Sequence, residues 1–540
     1  MLRRAYRWFD RNVLELGREL RLSYLPPLMV YLAAGVSGMT AIVGTFFVKD
    51  YLGLSAELLA ALGFWAMIPW ALKMPLGHLV DLIWRYKSTL VYLGAALIAG
   101  SLLIMLGLLA RPHAMGTLMP AQAWYVLSVL LAPLGYVIQD VVADAMTVEA
   151  VPALDASGEP FPPATRRLMH TTMQTLGRVA IIGGGVFVAL LNIVLFQGVE
   201  AMDEVQKLAV YIRIYELALL IPVASVSGVI LGGMLKRREL RRLRARGYAA
   251  VDAEQLVHGH TETIEPNWWI LGGSLVFVAF TLVVGLGELP YNEEIVFAGS
   301  MGIVVFLISR LMRELDPEAR RVLLGTAIVI FVFRAMPSPG AGQTWWMIDE
   351  LKFDQQFISV LSLIGSAFAL FGMFIFRRFM ADHSIAYIVG FLTLLGALLS
   401  LPIIGMYYGL HLWTAAHTGG IVDARFIALV DTAIESPLGQ VAMIPMLAWI
   451  ANSAPAHLKA TFFAVMASFT NLALSASQLG TKYLNQLFLV TREVRDAAGA
   501  VTVPADYSQL GHLLVASTAL GFALPFLAIA LIRLARLRSD

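Results

Sequence analysis

The sequence has 540 residues, of which 59% are hydrophobic and only 14% are charged, and its mean hydropathy is +0.74. Soluble domains are about half apolar and about one quarter charged, so this composition excludes a water-soluble protein and indicates a membrane protein. The formal net charge is only +2, and a chain without cysteine can form no disulfide, thiol nucleophile or cysteine-ligated metal centre.

The N-terminal segment, residues 1–22, is basic and lacks the short apolar core and small-residue cleavage site of a signal peptide. Trp8, Val13, Leu14 and Leu16 recur among arginines. This spacing predicts an amphipathic helix on the cytoplasmic surface of the membrane. A disordered basic leader is the alternative interpretation.

Fourteen segments are long and apolar enough to be spanning helices, which require about 20 mostly apolar residues. They lie near residues 24–48, 57–81, 88–110, 121–147, 167–196, 208–235, 267–287, 294–313, 321–346, 356–377, 384–408, 425–451, 457–485 and 508–535. The segments form groups of six, two and six, and a basic linker at 236–266 follows the first group. We therefore predict an all-α membrane protein with six-helix halves at 23–235 and 314–540 and an inserted helix pair at 267–313.

The basic residues of the loops predict the orientation, because cytoplasmic loops carry the excess of lysine and arginine. One set of loops holds the basic residues, namely Arg85, Lys87, Arg166, Arg167, the run 236–246, Arg310, Arg313, Arg320, Arg321, Arg377, Arg378, Arg533, Arg536 and Arg538. The opposite loops are poor in basic residues or acidic, as at 200–204 and 288–294. This alternation predicts both termini in the cytoplasm and a multi-pass protein of the inner membrane.

Two six-helix halves are typical of the major facilitator fold, whose substrate site lies near the midplane of the bilayer between the halves. The inserted pair at 267–313 carries almost no ionisable residue within its apolar segments. We therefore expect it to pack outside the twelve-helix body and to line no substrate cavity. Docking of a partner protein is the alternative role for the pair.

Four charged residues of the first half fall inside predicted spans, where an ionised side chain costs at least a few kcal/mol. They are Lys73, Asp140, Asp144 and Arg178. The two aspartates are one helical turn apart, and all four lie at similar depth when each residue rises by about 1.5 Å. We predict one buried network, which acts either as a static ionic lock or as a proton-exchange site.

The second half has a comparable set, Arg334, Asp431 and Glu435. An unpaired Arg334 facing a central cavity would bind a carboxylate or phosphate, whereas permanent pairing with Glu435 would remove that role. Trp345 and Trp346 follow a Pro/Gly break at 336–340, and they indicate either an aromatic belt at the interface or a stacking wall for a flat substrate.

The sequence has no metal-ligand cluster, nucleophile triad or nucleotide-binding motif, which argues against an enzyme, a cofactor, a metal site or a nucleic-acid partner. Three of its stretches resemble the folate–biopterin transporter family of the major facilitator superfamily. They are Gly135–Ala150 (similar to a fourth-helix D-V-x-x-D-A signature), Phe331–Gly340 (a Pro-Ser element) and Pro455–Asn471 (a P-x-x-x-E-x-T-x-F-A stretch leading to an asparagine). Gly77 and Asp81 also match the G-x-x-x-D motif that the superfamily has between helices two and three.

The resemblance implies a monomeric secondary transporter for a pterin- or folate-like organic anion, coupled to protons and working by alternating access. It implies a coupling role for the first-half network and a gating role for the G-x-x-x-D motif. The expected substrate-binding residues are Arg334, Glu435, Asp431, Trp345 and Asn471. Lys459 departs from the family pattern, which has a glutamate there.

Two other interpretations remain open at this point. Muropeptide permeases share a similar fourth-helix D-x-x-x-D-A stretch and a Lys-to-Asp stretch on helix two. Some relatives of the same fold serve photosynthetic pigment assembly, and such a scaffold would need no hydrated polar cavity. The surroundings of the intramembrane charges therefore distinguish a transporter from an assembly factor.

Overall fold

The computed structural model is almost entirely helical. It describes residues 15–71, 73–152, 154–155, 159, 161–258, 268–287, 289–313, 315–441, 446, 459–495 and 501–539. The first fourteen residues of the predicted amphipathic segment lie outside the described residues. So do the end of the linker at 259–266, most of 442–451, and the first residues of the 455–471 stretch.

The chain forms 24 α-helices and one two-stranded hairpin in the described residues. The helices are α1 Glu15–Arg18, α2 Leu25–Val36, α3 Ala41–Phe47, α4 Ala56–Ala71, α5 Lys73–Leu82, α6 Ser88–Ala110, α7 Pro112–Gly116, α8 Ala121–Ala150, α9 Pro163–Leu195, α10 Glu204–Ala218, α11 Leu220–Ala245, α12 Ala250–His258, α13 Trp268–Leu286, α14 Asn292–Met312, α15 Pro317–Arg334, α16 Ala341–Asp349, α17 Gln355–Ile375, α18 Arg377–Asp382, α19 Ile385–Leu399, α20 Leu401–Tyr407, α21 Leu410–His417, α22 Ala424–Glu435, α23 Lys459–Leu487 and α24 Leu510–Leu534. Short 3-10 or π turns lie at 22–24, 37–40, 48–52, 84–86, 199–201 and 436–440. The hairpin pairs β1 Val494–Arg495 with antiparallel β2 Val501–Val503.

Ten helical segments of the described chain are long and apolar enough to cross a membrane. They confirm the predicted multi-pass helical architecture. Helix also overlaps the remaining predicted spans, in α13, α15 with α16, α22 and α23. The count of fourteen crossings stays a prediction.

Two helix pairs join the first half to the second. Helix α4 packs along α23, and α9 packs along α17. In the first seam, the Asn471 amide donates to the carbonyl of Trp70 at 3.2 Å, and a Cβ on Gly63 would lie 2.5 Å from Gln478 Oε1. These close approaches place the two halves side by side with a shared interface.

The inserted pair, α13 and α14, lies against the α4–α23 seam. Phe64 of α4, Val284 of α13, Val296 of α14 and Leu472 of α23 belong to one buried hydrophobic cluster. Lys482 of α23 also lies 3.4 Å from Glu293 and 3.3 Å from Glu294, at the start of α14. The pair therefore packs on both halves at once.

Proline and glycine interrupt the span predicted at 321–346. The segment between α15 and α16 contains Met336–Pro337–Ser338–Pro339–Gly340, and Gly340 has a φ of 74°. Because this left-handed backbone favours glycine, Gly340 allows the chain to re-enter a helix directly after the break.

Candidate functional site

A cavity of about 620 Å³ lies between the first half and the interrupted span of the second half. Its first-half walls come from the first span (residues 37–48), α6 (98–105) and the first half of α8 (125–136), with Leu59 of α4 and Tyr215 of α10. Its second-half wall is residues 338–345. These are the portions of each span nearer the end of the molecule that carries the β-hairpin, here called the hairpin end. The opposite end, with residues 83–87, 236–258 and 535–539, is called the basic end.

Hydroxyl, amide and aromatic side chains supply the polar surface of the cavity. These residues are Ser37, Thr40, Thr45, Ser101, Tyr125, Ser128, Tyr136, Tyr215, Ser338, Gln343, Thr344 and Trp345. The described residues that line it include no lysine, arginine, histidine, aspartate or glutamate. The cavity can therefore form hydrogen bonds and stack an aromatic ring, but its walls carry no countercharge.

The break before α16 shapes the second-half wall. The backbone N–H of Ser338 donates to Thr481 Oγ1 at 2.9 Å, and the amide of Asn485 donates to the carbonyl of Pro339 at 3.2 Å. Both partners lie on α23. Side chains thus satisfy the backbone groups that the interrupted helix leaves open, as required inside a membrane protein.

On the side of the cavity toward the basic end, Lys73 binds both predicted aspartates. Its ammonium lies 2.6 Å from Asp140 Oδ2 and 2.9 Å from Asp144 Oδ2. The Tyr31 hydroxyl donates to Asp144 Oδ1 at 2.6 Å. The Asp144 side chain is 43% exposed, against 17% for Asp140, so Asp144 is the carboxylate more open to its surroundings.

The cluster is connected to the cavity along two helices. Tyr136 lines the cavity and precedes Asp140 by one turn of α8, and Ser37 follows Tyr31 by six residues on the first span. At about 1.5 Å per residue these separations are roughly 6 and 9 Å. Asp140 therefore lies one helical turn from the cavity wall.

Arg178, the fourth residue of the predicted network, forms no ion pair within 4.0 Å among the described residues. It still acts on the cluster at longer range, through electrostatic interaction with Asp140. Tyr31 was not expected there, because an isolated tyrosine in an apolar span gives no sequence signal for a functional contact.

Arg334 is not brought to the two predicted carboxylates of the second half. Arg334 donates from Nε to the carbonyl of Thr470 at 3.0 Å. Among the described residues no carboxylate, including Glu435 and Asp431, lies within ion-pair distance of it. Asn471 faces the seam rather than the cavity. Of the five residues expected to bind substrate, the cavity walls include only Trp345.

Polar contacts at the hairpin end join the two halves. Lys49, after the first span, lies 2.6 Å from Asp349 Oδ1 at the end of α16, and the Tyr507 hydroxyl donates to Asp349 Oδ2 at 2.5 Å. The amide of Gln355 donates to the Tyr211 hydroxyl at 2.9 Å. We call the Lys49–Asp349–Tyr507 set the hairpin-end clasp.

A buried charge cluster lies at the basic end within the first half. Glu149, at the end of α8, accepts from Lys87 and Lys236 at 2.5 Å each, and the side chains of Glu149 and Lys87 are only 3% exposed. Burial lowers the pKa of Lys87 to about 8; Glu149 opposes this shift, and Lys236 adds to it. One carboxylate thus ties α6, α8 and α11 together.

The predicted gating residues lie beside this cluster. Gly77 and Asp81 belong to the last turns of α5, rather than to the loop that follows. Asp81 acts electrostatically on Lys87. A Cβ on Gly77 would meet open space, so close packing does not explain a glycine there.

Comparison with known proteins agrees with the resemblance carried by the motifs. A model of the BT1 family matches residues 34–540. The chain is also similar to the folate-biopterin transporter of Synechocystis sp., with 25% identity over 471 residues that cover 86% of this chain and 75% of that protein.

Solved membrane transporters share the fold. A peptide transporter variant in complex with alafosfalin aligns with a TM-score of 0.58 and 15% identity over 96% of both chains. A variant of the nucleoside transporter NupG aligns with a TM-score of 0.51 and 11% identity over 94% of this chain and 99% of its own. At these identities the likeness concerns the fold alone, and it confirms the predicted major facilitator architecture.

Proposed function

Since the chain is a membrane transporter of the BT1 family, the folate–biopterin transporters, we propose that it moves a pterin- or folate-like organic anion across the cytoplasmic membrane, coupled to protons, by alternating access. The observation that carries this proposal is the uncharged, aromatic cavity placed one helical turn from a lysine–carboxylate cluster. A pigment-assembly scaffold would need neither feature.

The chemistry of the cavity suits a flat heteroaromatic ring. Tyr125, Tyr136 and Trp345 provide aromatic surfaces for offset or edge-to-face contacts. Hydroxyls such as Ser37 and the amide of Gln343 can both donate and accept hydrogen bonds, as the ring nitrogens and exocyclic groups of a pterin require. The volume, about 620 Å³, falls within the range of roughly 300–1,000 Å³ usual for small-molecule sites.

The Lys73 cluster is the proposed coupling site. One ammonium holds two carboxylates, so either carboxylate can take up a proton while Lys73 keeps an ionised partner. Protonation of Asp144 would weaken its contact with Lys73 and reverse the donor–acceptor relation with Tyr31. Such a change biases the packing of the first span against α8, which both line the cavity.

The orientation in this proposal places the basic end and both termini in the cytoplasm, in accordance with the excess of lysine and arginine there. The hairpin end then faces outward, and the clasp closes it by joining the halves. At the basic end, no ion pair among the described residues joins the two halves: Lys87–Glu149 lies within the first half and Arg538–Glu318 within the second, and Glu254 of the linker pairs with Arg85 and Arg244. The conformation is therefore one closed at the outer face.

Replacing Asp349 by asparagine should make the cavity more accessible from the hairpin end. Among the described residues, Asp349 is the one carboxylate of the second half that pairs with Lys49, and the substitution removes its charge. The chain contains no cysteine, so a single Thr344→Cys substitution in the cavity wall gives one reactive thiol. We expect a membrane-impermeant maleimide to label it several-fold faster in the Asp349→Asn background.

Asp354→Asn is the matched control, since Asp354 binds Arg425 at 2.7 Å within the second half and asparagine retains its helix-capping oxygen. Labelling in this control should equal that of Thr344→Cys alone. An unchanged rate in the Asp349→Asn background would show that the clasp does not hold the outer face closed.

The substrate assignment is tested by thermal unfolding of the purified protein with folic acid, pterin, muropeptides and dipeptides. A ligand that binds only the folded state raises the apparent stability by mass action, by about 2.7 kcal/mol at one hundred times its Kd. Stabilisation by folic acid and pterin supports the proposal. Stabilisation by muropeptides or dipeptides alone would replace it with a peptide substrate.

A further inference from the structure

Arg492 is a buried cation that the coupling scheme does not use. It lies between α23 and the β-hairpin, and it is only 3% exposed. Its Nη1 donates to the carbonyl of Lys49, in the other half. Its guanidinium lies over the ring of Trp345, 5.4 Å from the centroid, and Trp345 is part of the cavity wall.

One edge of this guanidinium has no hydrogen-bond partner. Nε and Nη2 are both buried and unsatisfied among the described residues, and burial lowers the pKa of Arg492. These two atoms form the side-on edge of the guanidinium, whose parallel N–H bonds match the two oxygens of a carboxylate. A buried charged donor without an acceptor is costly, so the edge calls for a ligand.

The nearby carboxylates do not fill this position. Asp50 and Asp349 act on Arg492 electrostatically, but within the described chain neither lies within 4.0 Å of its guanidinium. Asp349 is occupied by Lys49 and Tyr507, and Asp50 lies 3.4 Å from Lys49. The acceptor that completes the edge must therefore come from outside these residues.

We propose that Arg492 is the anion-recognition residue of the transporter, and that its Nε–Nη2 edge binds a carboxylate of the substrate at the outer mouth of the cavity. This inference rests on the proposed function, because it assumes a substrate with both an aromatic ring and a carboxylate and assigns each part to its own site. The uncharged cavity takes the ring, and Arg492 supplies the countercharge that the cavity walls lack.

The conformational cycle makes the edge available from outside. Arg492 and Trp345 belong to the second half, whereas the carbonyl of Lys49 belongs to the first. Separation of the halves at the hairpin end breaks this contact and leaves the guanidinium on the second half, beside the opened cavity. A free inorganic anion has the same chemistry as a carboxylate, and the experiment separates the two sources.

The test uses the full-length protein in detergent and compares wild type with Arg492→Gln and Arg492→Lys. Binding is measured for folic acid, which carries carboxylates, and for pterin, which carries none. Loss of a bidentate charged contact should weaken folic acid binding about ten- to hundredfold in Arg492→Gln. Arg492→Lys keeps the charge without the fork and should be intermediate, and pterin affinity should change less than about twofold.

An equal loss for both ligands would overturn the inference, since it would show that Arg492 only supports the hairpin. Undiminished folic acid binding would overturn it too. If wild type binds neither ligand, the proposed function fails, and sodium sulfate then tests the anion site alone. If sulfate stabilises wild type but not Arg492→Gln, Arg492 binds an inorganic anion rather than a substrate carboxylate. Equal stabilisation of both proteins would show that Arg492 forms no anion site.

Discussion

Asp144→Asn should abolish gradient-driven accumulation of substrate in proteoliposomes, so that the internal concentration rises only to the external one. Energy-independent exchange should continue. Asp144 is the more exposed of the two carboxylates on Lys73, and it lies nearer the basic end. Exchange need not release the proton, so it should survive the loss of the protonatable group. The measurement is uptake of labelled folic acid with and without an imposed pH gradient.

Asp140→Asn is the matched variant, because it removes the other carboxylate from the same lysine. It should retain accumulation, since the more buried Asp140 is the fixed partner of Lys73. Both variants leave Lys73 with one ionised partner, so neither creates an unpaired buried cation. Wild-type accumulation in correctly folded Asp144→Asn would end the assignment. Poor folding with normal activity per folded molecule would instead indicate a static lock.

Glu149→Gln should be the most destabilising of the substitutions considered, with a loss of about 3–5 kcal/mol in the free energy of unfolding. Removing one partner of a buried ion pair leaves an uncompensated charge, and here two lysines would face each other at the junction of α6, α8 and α11. The effect is measured by denaturation in SDS, with the loss of helicity as the signal.

The stability that Glu149→Gln loses should be greater at pH 6 than at pH 9. The pKa of Lys87 is already lowered to about 8 in the folded state, and without Glu149 it should fall further. The unfolded state then binds more protons than the folded state over this window, so the stability of the variant rises with pH. Above about pH 8 Lys87 loses its proton in both proteins, and the difference levels off.

Glu318→Gln is the control for Glu149→Gln. Glu318 pairs with Arg538 at 3.1 Å, but both side chains are about three-quarters exposed. Exposed ion pairs contribute about 0–1 kcal/mol, so this variant should unfold close to wild type and without the same pH dependence. Equal effects in the two variants would mean that burial does not make Glu149 important.

The intramembrane charges were predictable because hydrocarbon makes them rare. Lys73, Asp140 and Asp144 stand out in apolar segments, and the helical repeat places the two aspartates on one face. Their similar depth along separate helices predicted one network, and in the structure the Lys73 ammonium lies 2.6 Å from Asp140 and 2.9 Å from Asp144. The same reasoning included Arg178, but depth alone cannot show the direction in which a long side chain points.

The contacts between loops could not be predicted in the same way. Lys49, Asp349 and Arg492 lie at the ends of spans, where charges are ordinary because water and lipid headgroups solvate them. Only the tertiary arrangement buries Arg492 under Trp345 and brings Lys49 to the opposite half. Glu149 belongs to the fourth-helix stretch Gly135–Ala150, but its position at a helix end did not predict its burial between two lysines.

The inserted pair covers one of the two seams between the halves and leaves the other uncovered by it. Because α13 and α14 pack over the α4–α23 seam, lipid acyl chains cannot enter that seam where the pair covers it. Lys482 fixes α14 to the second half through Glu293 and Glu294, so the pair should travel with that half. Its Gly285 lies against the ring of Trp65 in the first half. If the halves rock against each other, the inserted pair would slide along the first half at this seam. No gap between the halves would then open toward the lipid there.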